Sequence, residues 1–435
     1  MTPSRAFLLN AFRSAFCSAA CCAALSAQAD PAGAPSPAPD DSDALSLQAT
    51  PAPQAATPPW RAAFEIGVGR IDQRLPDARR SGRRASIDLR YAAPIDEAWR
   101  FSLSDRLDDV HPAPQGQRST VNSLREAFVS WQPPGGASSL DLGRVNLRLG
   151  PAYGYNPTDY FRRDALRSIT TADPVTLREL RLGTVMARAS ELWDGGGVSL
   201  ALAPKLQSAP DLRPASLDLG ATNGSSRGLL TVNQRASDRL SGQASLLLEQ
   251  GQAATVGLSA SALATDALVA YGEWASVKST SLADRALGVT GPARRFQQAA
   301  LGLTYTLPSS LALTLEAEYN GAGLDRDGWS RVLASGPAGY QRYLALTQPS
   351  QELGARQAWL VYLTQKGLGL KQLDLTAFVR TNAVDHSRLA WAELRYHWQR
   401  FDAALQWQRS DGGAASEYGL MPYRQVVQLV GVFFL

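Results

Sequence analysis

From residue 60 to the C-terminus, apolar side chains recur at every second position through one short segment after another, and no run of them is long enough for a membrane-spanning helix. Such a helix needs about 18 consecutive apolar residues, whereas strict alternation marks a strand with two unlike faces. In residues 298–307 one face carries Ala299, Leu301, Leu303, Tyr305 and Leu307, and the other Gln298, Ala300, Gly302, Thr304 and Thr306. After the turn at 308–310, the next segment sets Leu311, Leu313, Leu315, Ala317 and Tyr319 against Thr314, Glu316, Glu318 and Asn320. A soluble half-buried sheet alternates too. Here, however, the apolar face is mostly small aliphatics with Trp, Tyr or Phe towards strand ends, the pattern of a barrel wall between two membrane interfaces.

Eighteen such segments can be read, with cores at 62–74, 83–93, 98–107, 120–132, 138–150, 183–193, 197–206, 227–235, 240–248, 253–263, 267–278, 295–307, 311–320, 356–365, 372–380, 389–398, 401–409 and 423–435. Links after odd-numbered segments are long (152–182, 207–226, 279–294 and 321–355), and several after even-numbered ones are tight (94–97, 133–136, 194–196, 264–266 and 308–310). An even strand number with loops sorted by end is the habit of bacterial outer-membrane barrels. In hydrocarbon every backbone N–H and C=O has to be paired, so an all-strand span must close on itself. An outward Arg near the midplane would cost about 2–4 kcal/mol, and Asp88, Arg90, Arg100, Arg106, Arg188, Glu316, Glu318, Asp374, Arg380, Glu393 and Arg395 all share the polar register. The expected fold is therefore all-β: a transmembrane antiparallel β-barrel of eighteen strands, with both termini periplasmic and the long loops extracellular. The fifth segment breaks the pattern, with Leu140 and Leu142 facing one way and Val145, Leu147 and Leu149 the other. That suggests a bulge near Gly143 and leaves sixteen strands as the alternative count.

Residues 1–29 read as a signal peptide: Arg5 and Arg13, an apolar stretch over 15–25, and Ala27-Gln28-Ala29 before a cut ahead of Asp30. A lipoprotein reading through Cys21 meets Ser18 where an aliphatic residue is expected. All three cysteines (Cys17, Cys21 and Cys22) lie in this segment. The mature chain thus has no thiol for a disulfide, a zinc-thiolate site or a nucleophile. Residues 30–59 are rich in Pro, Ala, Ser and Asp, read as a flexible periplasmic tether, and are too short and polar to form the folded plug of an energised transporter. Without Arg5 and Arg13 the chain has 41 basic and 39 acidic residues, a balance that points to no polyanionic partner.

The link at 151–182 stands out. It runs Tyr153-Gly154-Tyr155-Asn156-Pro157-Thr158-Asp159-Tyr160-Phe161-Arg162-Arg163, then Arg167, Asp173-Pro174 and Arg178-Glu179-Leu180-Arg181. By the position of this loop the mature chain resembles the Gram-negative outer-membrane porin-type β-barrels. Over about 40 residues, Gly143-Arg144-Val145-Asn146 followed by the run from Asn156 to Arg162 resembles the eighteen-stranded alginate-export-like channels. The resemblance implies that the third long loop folds into the lumen and narrows it. The last strand, with Val427, Leu429, Gly431, Phe433 and Leu435 on one face, resembles the segment read by the barrel-assembly machinery, although it ends in Leu rather than Phe.

Two readings of the loop stand side by side. Tyr155, Asp159, Tyr160, Arg162, Arg163 and Arg167 could line a constriction, the guanidinium groups forming paired hydrogen bonds with a carboxylate-bearing solute; equally, the arginines could pin the loop through Asp159, Asp164 and wall carboxylates, with the aromatic rings packing it to the wall. Along the wall, Arg90, Arg100, Arg106, Arg188, Arg235, Arg380 and Arg395 face Asp88, Glu126, Glu273, Glu316, Glu318, Asp374 and Glu393, and such rings set ion preference in channels. The expected function is an outer-membrane channel for diffusion or facilitated export of small-to-medium hydrophilic, preferentially anionic, solutes. Replacing Arg162 and Arg163 with Ala should then lower anion preference. The alternative is a non-conducting anchor that presents loops 152–182 and 321–355 to a partner or surface. His111, His386 and His397 sit in no nucleophile motif, so catalysis is not expected; nor is a cofactor, a metal or nucleic acid. The expected partners are outer-membrane lipid, the assembly machinery and the solute.

Overall fold

The computed structural model describes residues 59–74, 77–113, 118–211 and 213–435. The expectations for 1–29 and, Pro59 aside, for 30–59 lie outside the described residues. The remainder forms eighteen strands: β1 (Trp60–Gln73), β2 (Ala78–Pro94), β3 (Trp99–His111), β4 (Thr120–Trp131), β5 (Ser138–Val145), β6 (Thr184–Trp193), β7 (Gly196–Ala203), β8 (Arg227–Ser237), β9 (Leu240–Glu249). They continue as β10 (Thr255–Thr265), β11 (Leu268–Ser279), β12 (Arg294–Thr306), β13 (Leu311–Asn320), β14 (Gln357–Gln365), β15 (Leu373–Asn382), β16 (Arg388–His397), β17 (Phe401–Asp411) and β18 (Tyr423–Phe434). Each pairs antiparallel with the next, and β1 pairs with β18 from Ala63 opposite Phe434 to Gln73 opposite Tyr423. The ring is closed, and the count is eighteen rather than sixteen.

Closure gives each strand face a fixed side. On β12 and β13 the exposed residues are Leu301, Leu303, Leu313 and Leu315, while Ala300, Thr314, Glu316 and Glu318 are buried inside. The same outward apolar register continues through Val68 on β1 and Leu429 on β18. At the short-turn end the outer face carries Trp60 opposite Tyr91 and Trp99 opposite Trp131, and Phe401 lies 4.6 Å from Phe433. This is the amphipathic aromatic collar expected at a membrane interface.

β5 differs from expectation. It ends at Val145 rather than running to residue 150, and its ladders with β4 and β6 show no slip. Gly143 does hold an unusual backbone (φ +132°), but the register shift lies on β4: Ser104 faces Glu126 while Asp105 faces Leu124, leaving Arg125 as the extra residue. The apolar switch has a simpler cause than a bulge. Val145 and Leu149 point inward because the inner wall there is apolar, built from Met186, Ala201, Ala203, Leu229 and Leu247.

The early end of β5 leaves the far half of β4 without a strand neighbour, and the link between β7 and β8 fills the place. Asn122 N donates to Pro214 O (2.9 Å) and Gly183 N to Arg125 O (2.7 Å). Arg144 donates to the carbonyls of Gly183 (2.9 Å), Leu217 (2.8 Å) and Asp218 (3.0 Å). The buried amide of Asn223 accepts from Val185 N and donates to the carbonyls of Val185 and Pro204. Backbone groups that lack a ladder partner are thereby satisfied, and Leu206, Leu217 and Leu219 are left exposed. Two other long links fold into helices: α1 (Leu282–Leu287), α2 (Arg326–Ala334) and α3 (Pro337–Ser350). These pack together at the long-loop end around Leu282, Ala286, Trp329, Val332 and Tyr343.

Candidate functional site

Residues 146–183 leave the wall and cross the interior. The crossing is built on carboxylates that accept backbone N–H groups. Glu316 on β13 accepts from Tyr153 N (2.8 Å), Gly154 N (3.0 Å) and Tyr155 N (3.1 Å), and from the Tyr271 hydroxyl (2.8 Å). Glu273 on β11 accepts from Ala152 N (2.8 Å), Thr158 N (3.2 Å) and Thr158 Oγ1 (2.7 Å). Two glycines allow the close approach: a Cβ on Gly150 (φ +82°) would lie 2.2 Å from Glu273 Oε1, and one on Gly154 2.2 Å from Glu318 Oε1.

Beyond this anchor the Tyr160 hydroxyl meets Ser245 on β9 at 2.8 Å. Thr170 O accepts from Arg84 on β2, and the Tyr362 hydroxyl on β14 donates to Asp173 (3.0 Å). Asp173 also caps a short helix, Pro174–Glu179. The segment therefore touches β2, β9, β11, β13 and β14, which lie around the ring. Tyr153 stacks into an inner aromatic row with Tyr271, Tyr362, Phe378 and Trp391. Phe161 and the start of the crossing cover the apolar inner patch described above.

The sequence-selected residues divide sharply. Tyr155 is buried, Arg162 lies over its ring at 5.2 Å, and burial pushes its phenol up. Burial pushes the Tyr160 phenol up to about 12; both rings stay neutral and serve as packing. Asp159 is buried against Arg181, with Arg178 at 3.8 Å. Arg162 donates to the carbonyls of Asn156 and Ser350, and Arg167 to Asp218 (3.3 Å) and to the carbonyl of Asp211 (2.9 Å). Of the loop arginines named from sequence, Arg163 alone keeps a mostly exposed side chain (57%), 3.7 Å from Glu249.

The wall arginines are inward as expected, but most are held. Arg106 is buried among Asp108 (2.9 Å), Glu65 (3.3 Å) and Asp88 (3.6 Å), and Arg380 pairs with Glu318 at 2.5 Å. Arg395 pairs with Glu393 (2.7 Å) and Asp402 (3.5 Å), and Arg188 lies 3.7 Å from Asp141. Arg90, though 3.5 Å from Asp88, and Arg100 remain exposed. Sequence reasoning missed Arg125, which grips Asp88 with two nitrogens (2.6 and 2.7 Å), and the exposed Arg148. It also placed Glu273 and Glu316 among charges lining the water-filled space; they are instead sealed beneath the crossing segment. His397 sits between Asp402 (3.0 Å) and Asp374 (3.3 Å), and His111 beside Asp109 (3.0 Å).

No protein-family model matches the chain, and no curated protein matches it. Solved structures do. Acinetobacter baumannii OccAB1 is similar with a TM-score of 0.55 at 11% identity, over 86% of this chain and 96% of that one. Pseudomonas aeruginosa OccK8 (OprE) gives 0.51 at 10% identity over 86% and 98%. The outer-membrane protein OpdK of the same organism gives 0.50 at 8% over 86% and 98%. At these identities the likeness concerns the fold alone, and it agrees with the closed eighteen-stranded ring: the chain has the fold of the outer-membrane porin-type β-barrels.

Proposed function

We propose that this chain is an outer-membrane channel through which small-to-medium hydrophilic solutes diffuse, with residues 146–183 as its constriction and a preference for anions. Its short turns and both termini lie on the periplasmic side, and β18 is the strand offered to the assembly machinery. One observation carries the reading: a sheet closed on itself, apolar outside and charged inside, is crossed by a segment hydrogen-bonded to β11 and β13 on one side and to β2 on the other. A water-filled path narrowed at one level follows from that construction. The exposed Arg90, Arg100, Arg148 and Arg163 are the groups available to draw anions, whereas Arg106, Arg162, Arg167 and Arg380 hold the structure. The reading includes no catalytic step. Planar-bilayer recording of the purified barrel tests it: discrete conductance steps with an anion-selective reversal potential in a KCl gradient are expected. Membranes that carry folded protein yet stay silent would favour the non-conducting anchor instead, for which the helical cap of α1–α3 is the surface to examine.

A further inference from the structure

The outer face changes character at its long-loop end on β1 and β2. One hydrogen-bonded row across five strands reads Leu405, Leu429, Val68, Arg83 and His111. In the next row towards the long loops Arg70 lies between Val427 and Ser81, and in the following one Asp72 between Gln425 and Arg79. The outward register of two adjacent strands thus passes from aliphatic to guanidinium within two residues. A groove of about 850 Å³ opens there. Its floor is Val68, Leu405, Val427 and Leu429, and its rim includes Arg70 and Arg83 of the outward register, whereas Arg80, which also borders it, lies opposite Ile71 in the inward one.

The rim arginines are unlike those of the interior. Arg70 and Arg83 are exposed, and among the described residues neither lies within ion-pair distance of a carboxylate. The nearby acids are engaged elsewhere: Asp72 with Arg79 (3.2 Å), and Asp109 with His111 (3.0 Å) and Thr120 (2.7 Å). Unpaired guanidinium groups above an aliphatic floor have a natural complement: a molecule with phosphate oxygens at one end, which accept paired N–H bonds, and acyl chains at the other, which cover the floor.

We propose that this groove binds a phosphorylated, acylated lipid of the leaflet on the long-loop side, its phosphates on Arg70 and Arg83 and its chains along Val68, Val427 and Leu429. The assignment rests on the membrane orientation given under Proposed function. In the extracellular leaflet of a Gram-negative outer membrane this chemistry is that of lipid A.

The test is native mass spectrometry of the full refolded barrel, released from detergent and titrated with diphosphoryl lipid A or its dephosphorylated form. One diphosphoryl lipid should stay bound, with affinity falling at least about tenfold in R70A/R83A. The control K278A/R295A alters a second outward basic pair, on β11 and β12, and should bind as the parent does. Dephosphorylated lipid A should not distinguish parent from double variant, and inorganic phosphate should not displace the lipid. Equal retention by parent and double variant, equal binding of both lipids, or displacement by inorganic phosphate would overturn the proposal. If the double variant fails to give the heat-modifiable folded band, hydrogen exchange of the parent with and without diphosphoryl lipid replaces it: slowed exchange at 68–70 and 81–83 supports the site, and no change refutes it. Conductance reads separately, since loss of lipid binding with steps intact sinks the groove alone, and silence with lipid retained sinks the channel alone.

Discussion

Glu316 shows how much depends on one side chain. Its two oxygens hold four donors, three of them consecutive N–H groups of the crossing segment. Replacing it with Gln turns one acceptor oxygen into a donor that faces an N–H, and a buried group left unmatched costs on the order of 1–3 kcal/mol. Glu316→Gln should therefore keep the barrel folded while loosening the crossing, read as faster hydrogen exchange over 150–160 and larger, noisier conductance steps. Gly154→Ala should act in the same direction through its clash with Glu318. In the sequence Glu316 was legible as an inward charge, because alternation fixes its side. Its task was not legible, since its partners lie some 160 positions away and nothing local marks a carboxylate as a cap for a distant loop. The tyrosines were legible as packing candidates, but Arg162 and Arg163, adjacent and chemically alike, were inseparable: one turns into carbonyls and the other into water.

At the scale of elements, strand existence and side were read almost completely, because a period of two repeated eighteen times overdetermines register. β5 is the exception, and the inward Val145 and, just beyond the strand, Leu149 carry the reason: an apolar inner patch needs an apolar cover, and a periodicity argument assumes the inner face is wet. The links at 279–294 and 321–355 gave no strand signal; they hold α1, α2 and α3, whose shared core no single link displays. That cap offers a pH-dependent prediction. Glu417, in the link between β17 and β18, accepts from Asn382 Nδ2 (2.7 Å) and the Tyr343 hydroxyl (3.3 Å). Burial pushes its carboxyl up, with Arg380 working the other way. A carboxyl raised in the folded state stabilises below its unfolded value and ceases to do so as pH climbs through the folded one. Hydrogen exchange over 326–350 and 412–422, corrected for intrinsic rates, should accordingly be more protected at pH 5 than at pH 8. Equal protection would assign the cap's stability to its apolar core alone.

For the whole molecule, charge is distributed by compartment. The early strands look basic in sequence, but Arg84, Arg106 and Arg125 are neutralised by Glu65, Asp88 and Asp108, so a count of arginines overstates the field in the lumen. Selectivity should follow the unburied groups. Replacing Arg90, Arg100 and Arg163 together with Ala is expected to move the KCl reversal potential towards cation preference. Arg162→Ala alone should leave that potential near the parent value while weakening the hold of the crossing segment on α3. If Arg162→Ala shifts selectivity as strongly as the triple change, the division between guiding and holding arginines is wrong.

The stretch that stands in beside β4 has a consequence for how the vessel is sealed. Its contacts come from Arg144, Asn223 and a few carbonyls, so this part of the hull cannot be knitted by one strand templating the next. It is closed by side-chain and loop contacts instead. Excising residues 208–216 should consequently not widen the mouth at all; it should cut a porthole towards the acyl chains, through which a lipid-borne quencher reaches fluorophores placed at Val145 or Met186.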